Sequence, residues 1–335
     1  MLTEATMWMR RRTSTAADWP VEMLLKAKQA QTGAEPGQGR ISVVLPARNE
    51  EETVGEIVSV IRRDLMERAP LVDEIVVIDS RSTDRTAEVA AAAGAEVVAQ
   101  DAILPELPRM SGKGEALWKS LAVTTGDLLV FIDADLRNFS SHFVTGLLGP
   151  LLTDPTVGYV KGCYDRPLMT GGTRVDGAGG RVTELVARPL INLHWPALAG
   201  VIQPLGGEYA GRRSLLERLP FVTGYGVELG LLLDVFADSG LDALAQVDLG
   251  DRVHSHQSTE ALAAMSGQIM LTAWSRLQRH GRMLPLENPG TELAWFSRSG
   301  NGHEMRINDV GVQERPPMIE VPGYARAGRS LQPEL

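Results

Sequence analysis

Three short apolar runs, each followed directly by polar residues, constrain the fold of this chain more than any other feature of its sequence. They occupy residues 41–45 (ISVVL), 74–78 (EIVVI) and 128–132 (LLVFI), and helical patterns lie between them. Continuous β-branched runs of this length are typical of strands buried on both faces of a parallel sheet. The alternation of strands and helices therefore predicts an α/β fold with a doubly wound, mostly parallel sheet.

The same patterns predict further helices and strands along the chain. Predicted helices cover residues 21–30, about 50–65, 86–93, 115–124, 181–187 and 224–240, and further predicted strands cover 95–99, 158–163 and 245–249. From about residue 157 onward, helical and glycine-rich segments replace the regular alternation.

Segments that contain polar residues follow three of the predicted strands. They are residues 46–50, 79–80 and 133–135. In open α/β sheets, ligands bind beyond the carboxyl ends of the strands, which meet at one edge of the sheet. The sequence thus predicts a binding site at this edge.

The run Asp133-Ala134-Asp135 carries the strongest chemical signal. Two carboxylates one residue apart at a strand end can bind a divalent cation that bridges a pyrophosphate. An isolated run of this kind is more often a simple turn, but its position after an apolar strand favours the metal site. His254 and His256 follow the predicted strand 245–249 and offer imidazole ligands suited to manganese and compatible with magnesium. The pattern alone does not choose between them.

Two further segments are typical of anion binding. Lys113 lies between glycines at a predicted helix start, where backbone N–H groups and an ammonium can bind a phosphate. The upstream glycine spacing of a Walker A loop is missing, which disfavours ATP hydrolysis. The glycine-rich run 177–184 offers a second helix start with Arg181 and Thr183. Each segment could instead be an ordinary solvated loop. Together with the metal site, they favour one nucleotide donor and one anionic acceptor.

Two carboxylates, Glu208 and Glu228, stand among glycines and apolar residues. Such carboxylates can orient sugar hydroxyls, or they can stabilise a helix start through its dipole. The residues alone leave both roles open.

Composition excludes several classes of protein. The net charge of −9 argues against nucleic acid as a partner, because phosphate backbones need a basic surface. Cys163 is the only cysteine, so an intramolecular disulfide is excluded and a reducing cytoplasm fits. The first residues lack the apolar stretch of a secretion signal, and no run approaches 18 apolar residues. We expect a soluble, cytoplasmic protein without a membrane partner.

Longer motifs carry a resemblance to known families. The segments ISVVLPARNEEETVGEIV, IVVIDSRSTDRTAEVA and VFIDADL resemble the nucleotide-sugar half of GT-A glycosyltransferases. The segments SGKGEALWKSL, GGRVTELVARPL, QPLGGEYAGRR and GYGVELGLLLD resemble a narrower group. This group comprises the glucosyl-3-phosphoglycerate and mannosyl-3-phosphoglycerate synthases of actinobacteria, in glycosyltransferase family 81. The resemblance covers about residues 38–258.

The resemblance implies a fold, a reaction and a division of the chain. The fold is the Rossmann-like GT-A fold with a helical, acceptor-binding C-terminal part. The reaction is a retaining transfer of a hexose from UDP-glucose or GDP-mannose to the 2-hydroxyl of 3-phosphoglycerate, with Mg²⁺ or Mn²⁺ as cofactor, in a homodimer. The division is an N-terminal extension (1–39), a nucleotide-sugar half (40–165), an acceptor-binding half (166–285) and a C-terminal tail (286–335).

The resemblance also assigns residues to roles. Those expected to bind the donor are Pro46, Ala47, Arg48, Glu50, Ser80, Lys113, Asp133 and Ala134. Those expected to bind the acceptor are Gly180, Arg181, Val182 and Thr183. Asp135 and His254 are the expected metal ligands, and the expected catalytic groups are Asp135, Glu228, Lys113 and the carbonyl of Leu205.

Arg48, Arg81, Ala134 and His256 depart from the pattern of the glucosyl enzymes, which leaves the donor open between UDP-glucose and GDP-mannose. Three other functions are alternatives to this reaction. An inverting transferase for a polyprenyl phosphate or a polysaccharide is disfavoured, because neither membrane segments nor a Gln-x-x-Arg-Trp motif is found. A nucleotidyltransferase is disfavoured because its glycine-rich loop is missing after Leu45. A non-catalytic nucleotide-sugar-binding protein would keep the pocket without turnover.

Overall fold

The structure is a computed structural model, and it describes residues 2–32, 39–165, 168–170, 173–175, 180–252 and 258–324. Fourteen strands are found in these ranges: β1 (Thr13–Thr15), β2 (Ile41–Ala47), β3 (Glu74–Asp79), β4 (Glu96–Ala99), β5 (Leu128–Phe131), β6 (Tyr159–Asp165), β7 (Leu168–Thr170), β8 (Thr173–Val175), β9 (Tyr209–Arg212), β10 (Phe221–Val222), β11 (Leu244–Asp251), β12 (Glu292–Ser299), β13 (Gly302–Asp309) and β14 (Glu314–Arg315).

The α-helices of the same ranges are α1 (Leu2–Arg12), α2 (Val21–Thr32), α3 (Val54–Arg62), α4 (Thr86–Ala93), α5 (Lys113–Val123), α6 (His142–Thr153), α7 (Arg188–His194), α8 (Arg213–Leu216), α9 (Val227–Ser239) and α10 (Thr259–Arg279). A π-helical turn, Thr183–Ala187, leads directly into α7. In the described part of the chain, no helix is long and apolar enough to cross a bilayer.

Eight strands form one central sheet in the order β1-β11-β6-β9-β5-β2-β3-β4. Strand β9 runs antiparallel to β5 and β6, and all other neighbouring pairs are parallel. The expected doubly wound, mostly parallel sheet is confirmed. The sequence patterns did not reveal β9, because its central residues Ala210 and Gly211 are small, nor β1, which is only three residues long.

Both faces of the sheet are covered by apolar side chains. Val44 and Phe131 belong to one core, which includes Leu117 of α5 and residues of α9. Val43 belongs to the second core, which includes residues of α3 and Phe143 of α6. Alternate residues of one strand therefore enter opposite cores, which explains why the strands read as continuous apolar runs. Each large apolar side chain buried in this way stabilises the fold by about 1.5–3 kcal/mol.

The C-terminal part of the chain contributes to the same fold. Residues 314–315 form β14 against β10, and Met318 is fully buried. The guanidinium of Arg315 donates two hydrogen bonds to the buried carboxylate of Glu115, with N–O distances of 2.8 and 2.7 Å. Strands β12 and β13 form a separate antiparallel hairpin. The ion pair between Arg315 and Glu115 thus fixes the C-terminal segment to the first turn of α5.

Candidate active site

The carboxyl ends of β2, β3 and β5 meet at one edge of the sheet. The N–H of Ser80 donates to the carbonyl of Ala47 at 2.8 Å, and the N–H of Ile132 donates to Val44 at 3.0 Å. The hydroxyl of Thr53 donates to the carbonyl of Ala134 at 2.5 Å. These bonds hold the segments after the three strands side by side, as expected for parallel strands. The sequence-predicted edge is therefore the place where the site residues gather.

Lys113, Asp133 and Glu228 form one ion-pair cluster at this edge. The ammonium of Lys113, the first residue of α5, contacts the Asp133 carboxylate and lies 2.8 Å from Oε1 of Glu228 in the first turn of α9. Burial of the ammonium opposes its charge, but Asp133 and then Glu228 raise the pKa of Lys113 above its ordinary value. Lys113 is therefore a permanent cation at the end of β5.

Arg252 adds a second cation that the sequence patterns did not single out. It follows β11 directly, and its Nη2 donates to Asp133 Oδ2 at 2.7 Å and to Asp135 Oδ1 at 3.0 Å. Its Nε lies 3.4 Å from Oε1 of the fully buried Glu208. Burial opposes the charge of Arg252, but these carboxylates, Glu208 foremost, raise its pKa well above the ordinary value. The available signal was its place directly after a predicted strand, two residues before His254.

Gly207 allows the backbone to approach the ion pair of Lys113 and Asp133. A Cβ at this position would lie 2.0 Å from Asp133 Oδ2 and 2.6 Å from Lys113 Nζ. Distances below 3.0 Å are essentially never found for a Cβ. Only glycine fits here without displacing one of the two charged groups. Glu208, the next residue, has a raised pKa because burial disfavours its charged form.

The donor set suits a divalent cation bound by oxygen. Asp135 keeps 38% of its side chain exposed at the sheet edge, beside Asp133. Burial first, then the charges of Asp135 and Asp133, raise the pKa of the Glu50 carboxyl to about 7. Burial is the main cause of this shift, and the two aspartates add to it although Arg252 contacts both of them. A divalent cation would relieve this excess of negative charge.

The described residues contain no group of three or more histidine, cysteine or acidic side chains arranged around one metal position. His254 and His256 lie outside the described residues. Of the two expected metal ligands, only Asp135 lies among the described residues, so the role of His254 stays a prediction.

Apart from Lys113 on α5, the expected donor-binding residues lie on β2 and the loops that follow β2, β3 and β5. Pro46 and Ala47 end β2, and Arg48 is exposed beside them. The hydroxyl of Ser80 donates to Oε1 of Gln100 at 2.8 Å. Arg81 adopts a left-handed backbone conformation with φ of 62°. These residues line the same edge as Lys113, which agrees with one shared binding region.

Arg81 links two loops beside this region. Its guanidinium donates to both carboxylate oxygens of Asp101 at 2.9 and 3.0 Å and to the hydroxyl of Ser111 at 3.1 Å. The loop before α5 is thereby tied to the loop after β3. Arg81, which departs from the family pattern, therefore links these two loops next to Lys113 at the start of α5.

The expected acceptor-binding residues lie at one helix start. Gly180 has a positive φ of 76°, and its carbonyl accepts from the N–H of Glu184 at 3.0 Å. Arg181 is exposed, whereas Val182 and Thr183 are buried. A helix start with an exposed arginine offers N–H groups and a guanidinium to an anion. Leu205, the remaining expected residue, lies in the turn that the N–H of Gly206 closes on the carbonyl of Gln203, and the chain continues through Gly207 to β9.

Comparison with known proteins identifies the family. The model of the Glycosyl transferase family 2 matches residues 42–219. A glucosyl-3-phosphoglycerate synthase of Mycolicibacterium smegmatis is 47% identical, over 93% of this chain and 97% of that protein. The enzyme of the same name from Petrotoga mobilis is 42% identical, over 91% of this chain and 92% of that protein. This chain belongs to the glucosyl-3-phosphoglycerate synthase family. It is accordingly a hexosyltransferase with a GT-A fold.

Solved structures agree with this family. Mannosyl-3-phosphoglycerate synthase from Rubrobacter xylanophilus superimposes with a TM-score of 0.85 at 41% identity, covering 94% of this chain and 99% of that one. Glucosyl-3-phosphoglycerate synthase from Mycobacterium tuberculosis, in complex with Mn²⁺, UDP and phosphoglyceric acid, gives a TM-score of 0.77 at 44% identity, covering 90% and 95%. The family resemblance read from the motifs is confirmed over nearly the full length of the chain.

Proposed function

We infer that this chain transfers a hexose from a nucleoside diphosphate sugar to the 2-hydroxyl of 3-phosphoglycerate, with a divalent metal ion as cofactor. The supporting observation is that Lys113, Asp133 and Asp135 gather at the carboxyl ends of the strands in a chain 47% identical to a glucosyl-3-phosphoglycerate synthase. The relative from Mycobacterium tuberculosis has been solved with Mn²⁺, UDP-glucose and phosphoglyceric acid. We propose the same classes of ligand here.

Asp135, together with His254, would hold the metal ion. The bound ion neutralises negative charge on the diphosphate as the bond to the sugar breaks. Lys113 contributes a fixed positive charge at the first turn of α5, where helix N–H groups also favour an anion. Because Lys113 is held by Asp133 and Glu228 on either side, its ammonium is positioned before the reaction begins.

We propose that the transfer retains the anomeric configuration and proceeds by attack on the face from which the diphosphate leaves. The bond from the anomeric carbon to the phosphate oxygen breaks as the bond to the acceptor oxygen forms, and the leaving phosphate oxygen takes the acceptor proton. Glu228 is engaged with the ammonium of Lys113, which suits a carboxylate that orients hydroxyls better than one that attacks carbon. Trapping of a glycosyl adduct on Glu228 would contradict this mechanism.

The acceptor would bind at the helix start formed by Gly180, Arg181, Val182 and Thr183. The exposed guanidinium of Arg181 matches a phosphate or carboxylate, and the N–H groups of a helix start favour an anion in general. An acceptor with two anionic groups could place one at the guanidinium of Arg181 and the other at the helix start. This assignment predicts that Arg181 affects acceptor binding and not donor binding.

UDP-glucose is the donor that we propose first, because the relatives from Mycolicibacterium smegmatis and Petrotoga mobilis are both named glucosyl-3-phosphoglycerate synthases. GDP-mannose is the second candidate, because the mannosyl-3-phosphoglycerate synthase structure superimposes with a TM-score of 0.85. The region expected to bind the nucleoside contains Arg48 and Arg81, two of the positions that depart from the glucosyl pattern.

Incubation of the purified protein with 3-phosphoglycerate, Mg²⁺ or Mn²⁺, and a panel of UDP- and GDP-sugars tests the proposal. We expect one hexosyl-3-phosphoglycerate with the anomeric configuration of the donor, identified by mass spectrometry and NMR. Parallel reactions without acceptor, or with EDTA, should form no product. An inverted product, or turnover only with a lipid phosphate, would contradict the proposed reaction.

We also propose a cytoplasmic homodimer. The hairpin of β12 and β13 supports self-association, because Phe296, Met305 and Ile307 each expose more than half of their surface on it. Light scattering after gel filtration should give twice the chain mass of 36.3 kDa. A mass equal to that of one chain would contradict the dimer.

A further inference from the structure

Lys161 is a buried lysine whose ammonium is bound by a backbone carbonyl. It lies in β6 with 2% of its surface exposed, and its Nζ donates to the carbonyl of Gly206 at 2.5 Å. The ring centroid of Tyr209 lies 5.0 Å from the same nitrogen. Within the described ranges, no carboxylate oxygen approaches Lys161 to within 4.0 Å. This buried ammonium therefore differs from Lys113, which sits between two carboxylates.

Burial of Lys161 is unfavourable for its charge. Desolvation lowers the pKa of its ammonium to about 7, and the nearby charge of Lys113 acts in the same direction. The charges that oppose this shift are Glu228, Glu208 and Asp133. An apolar side chain of similar length would fill the same space without this cost. The ammonium is therefore not required merely to complete the core.

The carbonyl that Lys161 binds belongs to the turn Leu205–Gly207. The N–H of Gly206 donates to the carbonyl of Gln203 at 3.0 Å, which closes the turn on one side. On its other side, Gly207 packs directly on the ion pair of Lys113 and Asp133, with no room for a Cβ. The peptide between Gly206 and Gly207 is thus held between the Lys161 ammonium and this ion pair.

We propose that Lys161 is a positioning residue that fixes the Leu205–Gly207 turn against the Lys113 and Asp133 pair and thereby sets their geometry for sugar transfer. The inference rests on the proposed function, since it assigns a consequence to a reaction at Lys113. Loss of the donor at Gly206 would release the turn and let the ammonium of Lys113 shift. Misplacement of a catalytic group by about 1 Å can cost about 100-fold in rate.

Lys161→Met removes the donor but keeps an apolar side chain in the space. Lys28→Met is the matched control, because the buried Lys28 also donates to a backbone carbonyl, that of Leu71 at 2.8 Å. Lys28 contacts Asp73, directly before β3, at the sheet edge opposite to the site. Both variants lose a buried lysine, but only one loses the contact with the turn.

For Lys161→Met we expect kcat to fall at least about tenfold, with both KM values and the Kd for UDP within about threefold of wild type. Lys28→Met should keep kcat within about twofold, although its melting temperature falls. A kcat of Lys161→Met within about twofold of wild type would overturn the inference. So would an equal fall in kcat in both variants at an equal loss of melting temperature.

Lys161→Gln provides a second test if the methionine variant does not fold. Its shorter side chain cannot reach Gly206 as the lysine does, and we expect kcat to fall at least about threefold with unchanged KM values. An unchanged kcat would overturn the inference. Wild-type protein that forms no hexosyl-3-phosphoglycerate would refute the proposed function and the inference with it. Active wild type together with a Lys161→Met variant whose kcat stays within about twofold of it would refute the inference alone.

Discussion

Substitution of Gly207 by alanine probes how tightly the backbone packs on the charged groups of the site. The added methyl group would lie 2.0 Å from Asp133 Oδ2 and 2.6 Å from Lys113 Nζ, whereas ordinary contacts begin at 3.4 Å. The Asp133 oxygen and the new methyl must therefore separate by about 1.4 Å. The φ of Gly207 lies outside the left-handed region, so the alanine backbone itself is not strained. The expected effect of the substitution therefore comes entirely from the close contact of the new methyl group with Asp133 and Lys113.

This displacement sets the expected magnitude. Overpacking of this kind costs about 1–3 kcal/mol of folding free energy, which corresponds to a fall in melting temperature of several degrees. A catalytic group misplaced by about 1 Å loses about 100-fold in rate. We therefore expect kcat/KM of Gly207→Ala to fall about 100-fold, a larger effect than its loss of stability explains.

Initial rates of UDP release with saturating 3-phosphoglycerate and Mn²⁺ would measure the effect, and circular dichroism would follow unfolding. Gly290→Ala is the matched control, because a Cβ there meets nothing within 4 Å and its φ is also outside the left-handed region. The control should behave as wild type. Gly207→Ala with kcat/KM within about threefold of wild type would refute the proposed packing of this turn on the ion pair.

Three further substitutions test other parts of the structure. Asp135→Ala should lower kcat at least about 1,000-fold and remove the rise in melting temperature caused by Mn²⁺ in wild type, while the fold without metal is kept. Arg181→Ala should raise the apparent KM for 3-phosphoglycerate about tenfold or more and leave that for the donor unchanged; equal effects on both would contradict the acceptor assignment. Arg315→Met should lower the free energy of unfolding, measured in urea, by about 3 kcal/mol. This value is at the lower end for a broken buried ion pair, because Lys119 still lies 3.5 Å from Glu115. Unchanged stability would show that the C-terminal segment is not fixed by this pair.

Local sequence patterns predicted the central strands because burial on both faces leaves a signature within each strand. Residues 41–45 read as a continuous apolar run, and the strand indeed extends from Ile41 to Ala47 between two cores. The three strand ends were placed correctly at one edge for the same reason, since parallel strands in one sheet end on the same side. Strand β9 escaped prediction because Ala210 and Gly211 carry little propensity of their own and are fixed by their neighbours on both sides.

By itself, the sequence determined the chemical groups of the site and their family: the carboxylates Asp133 and Asp135, the lysine at position 113, and the motifs around them. Only the tertiary structure decided which of the charged groups form ion pairs with one another. Arg252 meets Asp133 across 119 positions of chain, and Arg315 meets Glu115 across 200. Hydrophobic periodicity reflects which side chains of a single helix or strand are buried, and it extends over only a few positions. An ion pair between distant segments depends on where the whole sheet places its ends, so no local pattern contains it.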